Sequence, residues 1–170
     1  MNTLKMRKVL LTTGLLLGVG VIIFIVVLSV IYNGVQNDKN AVYDEAIEQA
    51  FAETPINSVT SSSLFNGRQS YVVITGEDEE GNTLYVFVPQ INSEEEEDAE
   101  IKYVQSDEGL TENEMLEQWE SNCEECDLDS IQLGVLNNRY VWEIIYERQG
   151  RLYFQTFRFD NGELYDSISF

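Results

Sequence analysis

The chain of 170 residues contains no histidine, so it lacks the side chain that most often serves as a general base or a metal ligand near neutral pH. It has two cysteines, too few for a disulfide framework. Cations are scarce, at 10 Lys plus Arg against 30 Asp plus Glu. No G-x-S-x-G or S-x-x-K nucleophile motif occurs. The carboxylates are too numerous to single out a glycosidase pair. These absences point away from an enzyme, and no catalytic residue, metal site or cofactor is expected.

What is present is unevenly spread. Residues 1–37 hold Lys5, Arg7 and Lys8 and no acid, so residues 38–170 carry seven cations against thirty acids, a net of −23. Such a surface repels a phosphate backbone, which excludes a nucleic-acid partner. Val9 to Ile31 is a run of 23 uncharged residues rich in Leu, Val and Ile. As a helix it would be ~34 Å long, enough to cross a hydrocarbon core. With Lys5, Arg7 and Lys8 as topology determinants, the expectation is a cytoplasmic segment 1–8 and a transmembrane helix 9–31 with the remainder outside. The run is too long for a cleaved signal peptide and lacks a small-x-small end.

The remainder reads as two copies of one unit, 38–105 and 106–170. Asp38 to Glu53 has a helical stripe of Tyr43, Ala46, Ile47, Ala50 and Phe51, and Pro55 marks its end. Strand-like segments follow at 56–65, 69–75 and 82–88, with turn pairs Asn66-Gly67 and Gly81-Asn82. Residues 101–105 could close the first sheet or open the second. In the second half, Thr111 and Glu114 form a capping box, and Leu110 with Met115 a hydrophobic staple, at the start of a helix. Strands are expected at 130–136, 139–147, 151–159 and 163–170. The halves align at an offset of 69, which sets Tyr71-Val72 on Tyr140-Val141 and Gly81 on Gly150. Units of ~65 residues have marginal cores, so the two are expected to pack together.

The stretch from Tyr71-Val72-Val73-Ile74-Thr75 through Gly81 to Leu84-Tyr85-Val86-Phe87-Val88-Pro89 resembles the TseB-like cell wall elongation regulators of Gram-positive bacteria. Trp142-Glu143 and the closing hairpin Phe159-Asp160-Asn161-Gly162-Glu163-Leu164 fit the same pattern. The resemblance implies an α+β fold: an N-terminal transmembrane helix, then two small cystatin-like or PepSY-like units, each a helix packed on an antiparallel sheet. It implies a single-pass protein of the cell membrane, with its C-terminal domain extracellular. The role it implies is non-enzymatic regulation of wall elongation by binding a penicillin-binding protein. An alternative is a PepSY-like inhibitor or chaperone of an extracytoplasmic protease. The strong acidity and the cysteine pair depart from the pattern.

Three constellations remain. Cys123-Glu124-Glu125-Cys126 is a C-x-x-C placed after a helix rather than at a helix N-terminus, and its glutamates disfavour a thiolate. A local disulfide, idle thiols, an intermolecular link and redox or metal chemistry all stay open. Glu94 to Asp98 is a solvated acidic loop or a loose site for hard cations. Among the many strand aromatics, most are expected in the core, and Tyr85, Phe87, Trp142 and Tyr153 are the candidate partner-binding anchors. A free strand edge is a second docking mode.

Overall fold

A computed structural model of the protein describes Phe24, residues 41–90 and residues 100–170. The chain divides into two units, Met1–Val42 and Tyr43–Phe170. Helix α1 covers residues 41–53. It is followed by β1 (Ser58–Asn66), β2 (Ser70–Glu77), β3 (Thr83–Pro89) and β4 (Lys102–Gln105). A 3-10 turn at Ser106–Glu108 leads to α2 (Glu112–Glu120), then to β5 (Asp127–Leu136), β6 (Arg139–Arg148), β7 (Arg151–Arg158) and β8 (Leu164–Ser169). The strands form two four-stranded antiparallel sheets, each in sequential order.

The two sheets repeat one another. β1, β2 and β3 recur as β5, β6 and β7 at the 69-residue offset, and so does a bulge, between Val59 and Ser61 in β1 and between Leu128 and Ser130 in β5. The β5–β6 turn has two consecutive left-handed residues, Asn137 (φ 49°) and Asn138 (φ 63°), as does the β6–β7 turn with Gln149 (φ 54°) and Gly150 (φ 74°). Paired positive φ matches the right-handed twist of hairpin strands, and asparagine and glycine tolerate it at least cost. Residues 102–105 pair with β3, which assigns them to the first sheet.

The expected fold class needs correction. The described residues are mainly two antiparallel sheets with little helix, and none of their helices is long and apolar enough to cross a membrane. The expected segments 1–8 and 9–31, including Lys5, Arg7 and Lys8, lie outside the described residues apart from Phe24. The picture of a helix on its own sheet, twice over, also fails, because the second helix does not close a private core. Met115 and Trp119 of α2 share one cluster with Phe65, Tyr71, Val73, Tyr85, Phe87 and Val104 of the first sheet and with Trp142, Ile144 and Tyr146 of the second. The physical reason is alternation: successive side chains of β2 and β3 point to opposite faces, and both faces are apolar.

The first sheet is therefore buried on both sides. Its other face, with Val72, Ile74, Leu84, Val86 and Val88, takes Ala46 and Ala50 of α1 and Ile56. Alanines at those two helical positions let α1 lie close to the sheet. Each fully buried Val, Leu or Ile there contributes about 1.5–3 kcal/mol. Phe51, expected in the α1 stripe, is instead 45% exposed. Gly134 of β5 meets Phe65 of β1 so closely that a Cβ would lie 2.3 Å from its ring. Only glycine leaves room for that ring.

Candidate interaction surface

The four aromatics expected as partner anchors lie inward of the surface. Tyr85, Phe87 and Trp142 are buried, and Tyr153 is half-buried. Phe87 stacks on Tyr140 at 4.9 Å between ring centroids, and Tyr85 meets Trp142 edge-on at 6.2 Å. Tyr153 stacks on Tyr146 at 5.0 Å. The Trp142 indole N–H donates to the Leu110 carbonyl at 2.9 Å, and the Tyr140 hydroxyl donates to the Tyr103 carbonyl at 3.1 Å. The Phe87–Tyr140 and Tyr85–Trp142 contacts hold the two sheets together and so shape the surface from beneath. Burial raises the pKa of the Tyr85 and Tyr140 hydroxyls above the ordinary tyrosine value.

Cys123 and Cys126 are joined as a disulfide, with Cα atoms 5.8 Å apart. The disulfide closes the last four of the six residues that connect α2 to β5, and the loop turns through Glu125 at φ 57°. The acidic run Glu94 to Asp98 lies outside the described residues. Among the described residues, no group of three or more His, Cys, Asp or Glu side chains is placed to hold a metal ion.

An open groove lies where α1 ends, between the β2–β3 turn and β4. Phe51, Pro55, Ile56, Asn57, Asp78, Glu79, Glu80 and Tyr103 are among the residues that line it. Its two aromatics are accessible, Phe51 at 45% and Tyr103 at 49%. Its acidic side is a built turn. The Asp78 carboxylate accepts from the backbone N–H of Glu80 (2.9 Å) and of Asn82 (2.8 Å) and from the Asn82 side-chain amide (2.9 Å). Those donors, the Asn82 amide foremost, hold Asp78 below its ordinary value, so it stays ionised. Gly81, at φ 84°, closes the turn. Flat aromatic surface beside fixed negative charge suits a cationic side chain with an apolar stem.

Sequence reading missed this groove. Phe51 was expected in the buried stripe, and the turn at Asp78 was read only as a connection. One signal was available, because Val104 is buried and strict alternation in β4 then turns Tyr103 to the opposite face. A second hollow, lined by Arg139, Tyr140, Arg158, Phe159 and Asp160, offers less. There Arg158 is already engaged by both carboxylate oxygens of Asp160, at 3.0 and 2.6 Å.

The fold and surface define a class: a β-rich module built on one repeated four-stranded element, with an aromatic core between its sheets and an open groove. Residues 45–89 match the family model "Cell wall elongation regulator TseB-like domain". Across 165 residues the chain is 24% identical to the "Probable cell wall elongation regulator TseB" of Bacillus subtilis (strain 168), covering 96% of this chain and 99% of that protein. The solved structure of the "YpmB protein from Bacillus subtilis" superposes with a TM-score of 0.65 at 24% identity, covering 74% of this chain and 95% of that one. The chain is thus similar to the TseB-like cell wall elongation regulators, in its family-model match at residues 45–89 and along most of its length in the relative.

Proposed function

We propose that this protein regulates cell wall elongation without catalysing a reaction, by binding a penicillin-binding protein at the outer face of the cell membrane. The observation that carries the reading is the likeness along 96% of the chain to a probable cell wall elongation regulator. The groove supports a binding mechanism, because most of its lining falls within the matched residues 45–89. Exposed Phe51 and Tyr103 are apolar anchors, and Asp78, Glu79 and Glu80 supply charge for a basic segment of the synthase. The uncharged run 9–31, preceded by Lys5, Arg7 and Lys8, supports a membrane location with the acidic part outside. Confinement to the membrane surface raises the effective concentration toward another membrane-bound protein.

The test uses tagged full-length protein crosslinked in its own cells, captured, and probed with a fluorescent penicillin. A labelled band is expected, and it should weaken by about tenfold when Phe51 and Tyr103 are both changed to serine, as for the loss of one hot spot. Absence of a labelled band overturns the reading. Capture of an extracytoplasmic protease, inhibited by added protein, would replace it with protease control.

A further inference from the structure

The outer face of the second sheet is covered around Glu143 and Thr156 but opens toward β8, where it ends on a free edge. Every residue of β8 is exposed. Register sets three cross-strand rows on the outer face. Glu143, Thr156 and Asp166 form one row, and Ile145, Phe154 and Ile168 the next. Glu147 and Leu152 begin the third, where the Phe170 N–H bonds to the Leu152 carbonyl at 3.0 Å. Ile168 is 52% and Phe170 80% exposed, and the Phe170 ring packs edge-on to Phe154 at 5.9 Å. Exposed apolar side chains thus gather at the end of the sheet where backbone donors and acceptors are unpaired.

The other three edges carry protection against strand addition. β1 runs Thr60-Ser61-Ser62-Ser63 behind a bulge. β4 is four residues long and begins with Lys102. β5 bears Asp127 and Asp129 around its own bulge. β8 has an irregularity too, at Tyr165 between Leu164 and Asp166, and a single charge, Asp166, but from Ser167 to Ser169 it runs uncharged and in regular register up to Phe170.

We propose that β8 and the adjoining outer face form a strand-addition site for an extended segment of a partner protein, with one basic and two apolar residues on the face it shares with Asp166, Ile168 and Phe170. Side chains of an added strand repeat every second residue on a face. The pattern is therefore basic-x-apolar-x-apolar or its reverse, according to strand direction. The basic residue lies opposite Asp166 and continues the row that begins at Glu143, whose half-buried carboxyl has no charged cross-strand neighbour in Gln132 or Thr156. The apolar residues extend the rows of Ile168 and Phe170. On the opposite face the segment meets Ser167 and Ser169, which favour small polar residues at x. Charge selects a basic partner over a second copy, since pairing two β8 edges brings together chains of formal charge −20.

The experiment is hydrogen exchange on the full chain in nanodiscs of neutral phosphatidylcholine. The probes are two capped peptides, Ser-Lys-Ser-Val-Ser-Val-Ser and its reverse. One of them is expected to slow exchange of β8 amides by at least about threefold, as local opening is suppressed. Replacing its lysine by glutamate, or the serine between its two valines by proline, should abolish the effect. Asp166→Lys should abolish binding of the lysine peptide and restore binding of the glutamate peptide, a swap that a damaged fold cannot produce. Four outcomes overturn the proposal: no slowing at β8, equal slowing by the glutamate peptide on the unaltered chain, slowing confined to β1, β4 or β5, or β8 protection that grows with protein concentration alone. None of these bears on whether a penicillin-binding protein is captured in cells.

Discussion

Two tryptophans with the same chemistry occupy opposite hydrogen-bonding situations. The Trp119 indole N–H is buried and has no hydrogen-bond partner among the described residues, whereas that of Trp142 donates to Leu110. A buried donor left unpaired costs about 1–3 kcal/mol, so removing the N–H relieves the fold at one site and breaks a bond at the other. Both substitutions to phenylalanine remove the same ring volume. Trp142→Phe is therefore expected to destabilise by about 1–3 kcal/mol more than Trp119→Phe in urea unfolding; equal losses would contradict this. Glu143 gives a pH-dependent case. Burial pushes its carboxyl above the ordinary 4.5, so the charged form is disfavoured in the folded chain and not in the unfolded one. The resulting penalty is absent below the ordinary value and sets in as pH rises through the raised one. Glu143→Gln should raise the melting temperature at pH 7, with a gain that vanishes near pH 4. A gain that is constant with pH would exclude ionisation as the cause.

Among the elements, α2 is the one whose start was legible residue by residue. The Thr111 backbone N–H donates to Glu114 at 2.8 Å, and the Glu114 N–H returns a bond to the Thr111 hydroxyl at 3.4 Å. The helix has nine residues, too few to persist without packing or a cap. Thr111→Ala should cost about 1 kcal/mol, and the loss should be seen first as faster exchange of the amides at the start of α2. Uniform slowing or speeding along the whole chain would mean that the cap acts elsewhere. The positive φ of Asn137, Asn138 and Gly150 suits their residue types, whereas that of Gln149 has no such local mark. The bulges were not legible, because a single extra residue in an apolar-polar alternation leaves no mark of its own. The fate of Phe51 was likewise hidden. At helical spacing it belongs with Ala46 and Ala50, and only the breadth of the sheet beneath decides that it overhangs the edge.

At the level of the whole molecule, the strands and their repeat could be read, but the sharing of one core between two sheets could not. Periodicity says that a face is apolar and is silent about which element covers it. The aromatics illustrate the consequence. Tyr85, Phe87 and Trp142 looked like surface anchors because strands with apolar residues on both faces exceed what one helix can cover, and the excess turned out to be the seam between sheets. The groove stayed unread because it joins α1, a turn and β4 across more than fifty residues. A shared core makes a further demand, that the two sheets unfold together. Both tryptophans lie in the second half, within the cluster it shares with the first sheet, so their fluorescence reports on the second sheet and the seam. Ile74 is fully buried against α1, in the cluster away from the seam. Ile74→Ala should cost about 2–5 kcal/mol. If residues 43–170 form one cooperative body, the tryptophan midpoint in urea falls by as much as the midpoint from circular dichroism. A tryptophan midpoint that stays in place while the ellipticity splits into two steps would mean that the seam of aromatic contacts is too weak to couple the sheets.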